Sequence, residues 1–205
     1  MAYRQTERME GRLADKRRLI LRAVRTVVAS EGFGGAHVSA VAEAAGVATG
    51  TVYRHFPSKA ELFAEALALN SRHELAVIAA VVDADGTAIQ RLDEAVRVFA
   101  RRTLRGRRLA YAMIAEPAEP AVDAARLKYR CAFADVFERL IHDGIATGAF
   151  PPQDARASAA CLIGALIEGL IGPLAPEGGE VADTKALVEA IAGFCLRAVA
   201  GQQLP

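Results

Sequence analysis

The chain has 205 residues, of which 53% are hydrophobic and 24% are charged, the composition of a globular protein with ample material for a core. Its three cysteines are odd in number and far apart in sequence, which argues against a disulfide framework and against a metal site. The first residues are charged and lack an apolar core region, which argues against a secretory signal. We therefore expect a reduced, cytoplasmic protein.

The net charge of +1 conceals a gradient along the chain. Residues 1–60 contain 10 Lys or Arg and 5 Asp or Glu, whereas the remaining residues contain 15 and 19. A basic segment followed by an acidic one is typical of a protein whose first part meets a polyanion and whose second part does not.

The first element is predicted to be a helix over about residues 13–31. Apolar residues recur at helical spacing from Ile20 to Val28, and arginines occupy the opposite face. Gly32 is suited to end this helix, because glycine readily adopts the left-handed conformation of a helix C-terminus. Residues 1–11 are expected to form a flexible arm.

Two short helices follow, over about residues 38–45 and 49–56, and Gly46 suits the left-handed turn between them. A proline then breaks the chain. Ser58 can cap the next helix, and Glu61 three residues later completes a capping box.

Breaks rich in Pro and Gly divide the rest of the chain into six helices, over about 58–82, 87–104, 107–115, 121–147, 155–174 and 184–200. No run alternates apolar and polar residues for long, so no strand is predicted. The predicted fold class is all-α, with about nine helices in total. A three-helix helix-turn-helix head, residues 1–57, precedes a larger helical body, residues 58–205.

One stretch of the body, residues 158–176, is apolar enough to suggest a membrane span. Glu168 lies inside it, Pro173 interrupts it, and no Lys or Arg anchors its C-terminal end. An apolar helix of this kind is more often buried between other helices, and we expect no membrane partner.

The stretch GVATGTVYRHFPSK, residues 46–59, meets the demands of a helix-turn-helix unit, in which the second helix enters the major groove of DNA by its N-terminal end. Val52 and Phe56 can face inward, which leaves the other residues of that helix outside. Small residues let the backbone approach base edges, and threonine can bond a base or touch a thymine methyl group. The bulky polar residues can hold phosphates. The outward residues are Thr49, Gly50, Thr51, Tyr53, Arg54 and His55.

Lys59 lies in the first turn of its helix, where a cation opposes the helix dipole at a cost of about 0.3–1 kcal/mol. A phosphate docked at that helix start would reverse the sign of this effect. The spacing alone leaves open that these residues form a merely solvated helix face.

Residues 32–63, GFGGAHVSAVAEAAGVATGTVYRHFPSKAELF, resemble the signature of the TetR-type transcriptional regulators. The resemblance implies that Thr49, Gly50 and Tyr53 face bases, while Thr51, Tyr53, Arg54, His55 and Lys59 hold phosphates. The chain departs from the family pattern at two helix starts. His37 stands where the family usually has a capping Ser or Thr, so it is expected to contact phosphate instead. Ala48 stands where serine is frequent, so Thr49 is expected to take over as cap.

The same resemblance implies a homodimer on a palindromic operator and a small-molecule effector among the middle helices. The last two helices, rich in apolar and small residues, are the candidate interface, and a buried core within one chain is the alternative. Candidate interface residues are Ala160, Gly164, Ala165, Glu168, Gly169, Gly172, Leu187, Ile191 and Phe194. Candidate effector-binding residues are Phe99, Arg102, Thr103, Tyr111, Met113, Ile114, Tyr129, Arg130 and Phe133.

The function predicted from the sequence is a ligand-responsive, DNA-binding transcriptional repressor. An effector-independent DNA-binding dimer with an architectural or protein-partner role is the first alternative, and an all-helical enzyme is a remote one. No catalytic motif occurs, since HELAV at His73 has Val77 where a zinc protease has its second histidine. We expect no catalytic activity, no metal and no cofactor.

Overall fold

Helices and the turns between them make up the described part of the chain, which in this computed structural model is residues 2–176 and 183–201, with side chains from residue 11 onward. No strand occurs in these ranges, so the predicted all-α fold class is confirmed. The nine helices are α1 (Ala2–Gly35), α2 (Val38–Ala44), α3 (Thr49–His55), α4 (Lys59–Val82), α5 (Ala88–Arg105), α6 (Arg107–Ile114), α7 (Pro120–Ala146), α8 (Ala155–Leu174) and α9 (Thr184–Ala200).

The ends of α2 to α9 agree with the sequence prediction to within a residue, because capping and breaking residues mark them. Ser58, Asp154 and Asp183 each accept a hydrogen bond from the backbone amide three residues later. Thr87 and Gln90 form a reciprocal capping box at the start of α5. Each such cap stabilises its helix by about 1 kcal/mol.

The first helix differs from its prediction at both ends. Helical backbone begins at Ala2, so the segment expected to be an arm continues α1. Its Arg, Gln, Glu and Met residues have high intrinsic helix propensity, which outweighs the missing apolar stripe on which the prediction relied. The regular helix is interrupted at Gly32, where the sequence predicted its end, but helical backbone continues to Gly35. The φ of 72° at Gly32 favours glycine, whereas its ψ of −179° is extended and is not the left-handed helical value expected at a helix C-terminus.

Two buried clusters of apolar side chains organise the chain. The first joins α1, α2 and α3 to the N-terminal half of α4, and reaches Met113 of α6 and Tyr129 of α7. The second fills the space between the C-terminal half of α4 and helices α5, α7, α8 and α9. Helix α4 therefore belongs to both clusters and connects the helix-turn-helix unit mechanically to the rest of the chain.

Helix α8 is, within the described ranges, the one helix long and apolar enough to cross a membrane. Core helices of soluble proteins meet the same criteria, and the large side chains of α8, including Leu162, Leu166 and Leu170, are buried against the second cluster. Its remaining face carries mostly small residues, together with Arg156 and Glu168.

Candidate functional site

The turn between α2 and α3 has the geometry of a helix-turn-helix unit. Gly46 adopts a φ of 63°, and its amide donates to the carbonyl of Glu43 at 3.0 Å, which closes the turn. Val41 of α2 and Val52 of α3 are fully buried against each other's helices and α1. These inward contacts fix which side of α3 faces away from the protein.

Four of the six residues that the sequence predicted on the outward side of α3 are exposed, whereas Thr51 and His55 are half-buried. Tyr53 has 46% of its surface exposed, and Thr49, Gly50 and Arg54 are also exposed. A Cβ atom added to Gly50 would meet no atom within 4 Å. Nothing inside the protein therefore requires a glycine at this position, which leaves close approach by an external molecule as a reason for it.

The starts of α2 and α3 lack side-chain caps. His37 is exposed at the N-cap of α2 and makes no capping bond. Ala48 is the N-cap of α3, and Thr49 is already the first helical residue. The expectation that Thr49 caps this helix was wrong, because the chain enters helical geometry directly after Ala48.

Arg17 of α1 fixes the other end of α3, a role that the sequence analysis missed. Its Nη1 donates to the carbonyl of His55 at 2.7 Å, its Nε donates to Glu65 of α4 at 3.1 Å, and its guanidinium lies 4.3 Å from the ring centroid of Phe56. The sequence did not predict this role, because Arg17 reads as an ordinary charged residue on the polar face of α1. Its partners His55 and Glu65 are 38 and 48 residues away in sequence.

The electrostatics of this site favour an anion. Burial lowers the pKa of His55 below its ordinary value, and the positive charges of Arg17, Lys16 and Arg54 lower it further. An incoming phosphate would offset those charges.

Lys59 lies at the start of α4 as predicted and is half-buried. Its Nζ is 3.5 Å from Oε1 of Glu119, which precedes α7, and 5.2 Å from the ring centroid of Phe63. The predicted phosphate ligand is therefore paired with a carboxylate in the free protein.

A cavity of about 150 Å³ lies among α4, α5, α6, α7 and α8. Eight of the nine predicted effector-binding residues line it, and Tyr111 does not, because its side chain packs against the second cluster. The lining residues that the sequence analysis missed are Arg25, Leu67, Asn70, Ser71, Glu74, Ile78, Gly106, Leu109, Ala110, Arg126, Ile163 and Ile167.

The walls of the cavity are mostly apolar, with four arginines among the lining residues. The guanidinium of Arg102 donates to Glu74 at 2.6 and 2.9 Å, and this bond raises the pKa of Arg102. Arg126 and Arg130 donate to backbone carbonyls at the end of α6. Arg25 comes from α1, and within the described residues its guanidinium has no partner.

The face that α8 and α9 leave uncovered is the predicted interface. Ala160, Gly164 and Glu168 are exposed on α8, and Phe194 of α9 has 55% of its surface exposed. Ile191 is instead buried in the second cluster, 3.5 Å from where a Cβ on Gly169 would lie. The remaining predicted residues are Ala165 and Leu187, both half-buried, and Gly169 and Gly172, both exposed.

Groups suited to metal binding or nucleophilic catalysis do not converge in the described ranges. No group of three or more His, Cys, Asp or Glu side chains there could hold a metal ion. Cys195 is buried, and burial raises the pKa of its thiol to about 11. His73 contacts Arg102, and His142 lies 3.7 Å from Glu138.

The described residues thus combine a helix-turn-helix unit, exposed on one face of α3, with a helical body that contains a cavity, and α4 joins the two. Residues 20–66 match the family described as bacterial regulatory proteins, tetR family, and residues 85–170 match the tetracyclin repressor-like C-terminal domain. Together these matches span about two thirds of the chain. The chain belongs to the TetR family, and the predicted resemblance is confirmed.

Individual relatives agree with this assignment. The HTH-type transcriptional repressor KstR of Mycolicibacterium smegmatis is 36% identical over 99 residues, 48% of each protein, so the chain spans about half the length of this curated relative. The FadR regulator of Bacillus subtilis, solved in complex with stearoyl-CoA, is 18% identical with a TM-score of 0.76, covering 88% of this chain and 97% of that one. A TetR-family regulator from Agrobacterium tumefaciens is 18% identical with a TM-score of 0.74, covering 92% and 99%. The two structures share the fold of this chain.

Proposed function

We propose that this chain is a cytoplasmic transcriptional repressor that binds a palindromic operator as a homodimer and leaves it when a small molecule occupies the cavity. The outward face of α3 is the observation that supports DNA binding. Its tip is small and open at Gly50, and its flank presents Tyr53 and Arg54 to solvent. A helix of this shape can enter a major groove, with small residues at the base edges and long ones at the backbone.

The roles of the individual residues follow from their positions. Thr49, Gly50 and Tyr53 are assigned to base edges because they lie on the outward face near the start of α3. Donors on the flank and on neighbouring helix starts are assigned to phosphates. The phosphate ligands are His37, Thr51, Tyr53, Arg54, His55 and Lys59.

A binding selection with a random-sequence duplex library tests this proposal. The wild-type protein should enrich a two-fold symmetric sequence, and Tyr53→Ala should weaken binding to that sequence by about 1–3 kcal/mol, the usual worth of a good base contact. Leu127→Ala is the matched control, because Leu127 is a large exposed side chain, 63% accessible, on α7. The proposal fails if the wild-type protein binds no duplex, or if the two variants behave alike.

The cavity supports the ligand-responsive part of the proposal. Its volume of about 150 Å³ is comparable to a cavity that holds benzene, whereas ligand pockets usually measure roughly 300–1,000 Å³. A larger ligand would have to widen it, and α4, which forms one wall, also carries the helix-turn-helix unit. Widening would therefore change the position of the head, and a preference of a few kcal/mol for the widened state suffices for a switch.

The chemistry of the walls favours an apolar ligand that carries an anionic group. The lining is largely aliphatic and aromatic, and Arg25 offers a guanidinium with no partner in the described ranges. The similar fold of FadR with bound stearoyl-CoA, an apolar chain on an anionic carrier, agrees with this class.

A thermal-shift screen with fatty acids and acyl-CoA thioesters of increasing chain length tests the effector. A true effector should raise the melting temperature and also release the selected duplex. Ala110→Trp, which fills the cavity from α6, should abolish both effects while leaving DNA binding intact. If stabilising compounds never release DNA, the effector-independent alternative is the better account.

The homodimer is supported by the uncovered face of α8 and α9. Small residues along α8 permit close approach of a second copy, and Phe194 would otherwise leave a large apolar surface in water. Phe194→Asp should shift sedimentation from dimer to monomer. An unchanged dimer would place the interface elsewhere.

A further inference from the structure

The loop between α6 and α7, residues 115–119, contacts the end of α1 in the helix-turn-helix head and the start of α4, and we refer to it as the α6–α7 segment. The carboxylate of Glu116 accepts a hydrogen bond from the amide of Phe33 at 2.9 Å and another from the amide of Gly34 at 3.1 Å. Three residues later, Glu119 pairs with Lys59 at 3.5 Å. One short loop of the body thus holds both the end of α1 and the start of α4.

The head is shaped to receive this carboxylate. Gly32 adopts a φ of 72°, and a Cβ atom there would lie 2.5 Å from Oε1 of Glu116. The glycine therefore does two things: it lets the chain change direction within α1, and it leaves room for Glu116 against the next two amides. This close fit sets the contact apart from a chance meeting of surface charges.

The opposite side of the α6–α7 segment is anchored to the cavity wall. The guanidinium of Arg126, from α7, donates to the carbonyls of Ala112 at 3.0 Å, Met113 at 3.1 Å and Glu116 at 2.8 Å. Arg130, one turn further along α7, donates to the carbonyl of Ile114 at 3.3 Å. Both arginines line the cavity. The segment therefore connects the cavity wall to the head through hydrogen bonds and one ion pair.

We propose that the α6–α7 segment is a brake on DNA binding: Glu119 competes with DNA phosphate for the ammonium of Lys59, and Arg126 sets the position from which it competes. The inference rests on the proposed function and adds to it a regulatory residue, Glu119, that makes no contact with DNA. The ammonium of Lys59 is drawn towards Glu119 in the free protein, so holding a phosphate requires this pair to break or loosen. Because the same loop is bonded to Arg126, a change in the cavity wall alters the strength of the competition.

A double-mutant cycle on the two half-buried partners, Lys59 and Glu119, tests the competition. In fluorescence anisotropy with a random-sequence 30-base-pair duplex at low salt, Glu119→Gln should tighten binding about two- to fivefold per head, the range expected for a half-exposed ion pair. In a Lys59→Ala background the same substitution should give no gain, because the competition no longer exists.

Glu43→Gln is the matched control for charge alone. Glu43 lies on α2 within the head, its side chain is exposed, and it pairs with no cation in the described part of the chain. Any gain from Glu43→Gln should survive in the Lys59→Ala background. The brake is overturned if Glu119→Gln gives no gain, or if its gain also survives without Lys59.

A second cycle tests the link to the cavity wall. Arg126→Lys keeps a positive charge but lacks the planar fork, in which Nε donates to Met113 and Nη2 donates to Ala112 and Glu116. A single ammonium cannot reproduce that spacing, so the segment should loosen and Glu119→Gln should then add less than half its usual gain. Circular dichroism shows whether the variant is folded; if it is not, Arg126→Gln, which keeps one side-chain amide donor, replaces it. A full gain from Glu119→Gln in the folded variant refutes the role of Arg126.

These outcomes separate the inference from the proposed function. Wild-type protein that binds no duplex defeats both. Wild-type protein that binds, with a gain from Glu119→Gln that is absent or independent of Lys59, defeats only the brake.

Discussion

Gly50 offers a test in which stability and function should change in opposite directions. The residue is the second of α3, its backbone is helical, and an added methyl group would meet no atom within 4 Å. Alanine has the higher helix propensity, so Gly50→Ala should stabilise the fold by about 0.5–1 kcal/mol. The same methyl group would project from the tip that we assign to the base edges, where it should weaken DNA binding.

The expected loss is about 1–3 kcal/mol, the worth of one good base contact, which corresponds to roughly a five- to hundredfold increase in Kd. Urea denaturation followed by circular dichroism gives the first quantity, and anisotropy with the selected duplex gives the second. A variant that is more stable and binds DNA as tightly as the wild-type protein would refute the placement of the α3 tip against bases.

Gly32→Ala is the contrasting control, because the structure predicts the opposite effect on stability. The left-handed φ of Gly32 is strained for alanine by about 1–3 kcal/mol, and the added Cβ would collide with Glu116. This variant should unfold at lower urea concentration than the wild-type protein. A neutral effect would mean that the contact between Glu116 and the end of α1 is easily rearranged.

Three further predictions concern titration, reactivity and packing. The pKa of His55 is lowered in the free protein, and nearby phosphates should raise it, so complex formation should take up a proton. DNA affinity should then fall as pH rises through the pKa of His55 in the complex, and His55→Gln should flatten this dependence in anisotropy titrations. An unchanged slope would place His55 away from the phosphates. Cys195 should resist a thiol reagent until the protein unfolds, because burial raises the pKa of its thiol to about 11. The exposed thiol of Cys131 should react at once in the folded protein. Equal modification rates at the two cysteines would contradict the buried position of Cys195. Gly144→Ala should lower the stability of the body by about 1–3 kcal/mol or more, because a Cβ atom there would lie 2.0 Å from the ring of buried Phe150. An unchanged melting temperature would show that the ring can move.

The sequence was sufficient for the parts of the fold that local chemistry determines. The glycine at position 46 and the cap at Ser58 marked helix boundaries that the structure reproduces, whereas Gly32 marks an interruption within α1 and not its end. The apolar pair Val52 and Phe56 determined which side of α3 faces inward, and therefore which side is exposed. Where helix propensity acted without apolar periodicity, before Leu13, the same reasoning missed the helix.

The contacts that connect the head to the body were beyond sequence reasoning. Glu116 and Phe33 are 83 residues apart, and neither belongs to a pattern that announces the other. Arg25 and Arg126 read as ordinary charged residues on polar helix faces, yet both line the cavity. Periodicity shows which face of a helix is polar, but it does not show what lies opposite that face.

The first apolar cluster has a practical consequence for anyone who would exchange parts between relatives. Phe63 and Leu67 of α4, and Met113 and Tyr129 beyond it, complete the same hydrophobic interior as Val24 of α1. A chimera joined at the end of α3 would combine two parts of the cluster that come from different proteins. It would also place Arg25 at the cavity of the other protein. An exchange of the DNA-binding head between relatives should therefore succeed only when it includes the first turns of α4 and the side chains of α6 and α7 that pack against them.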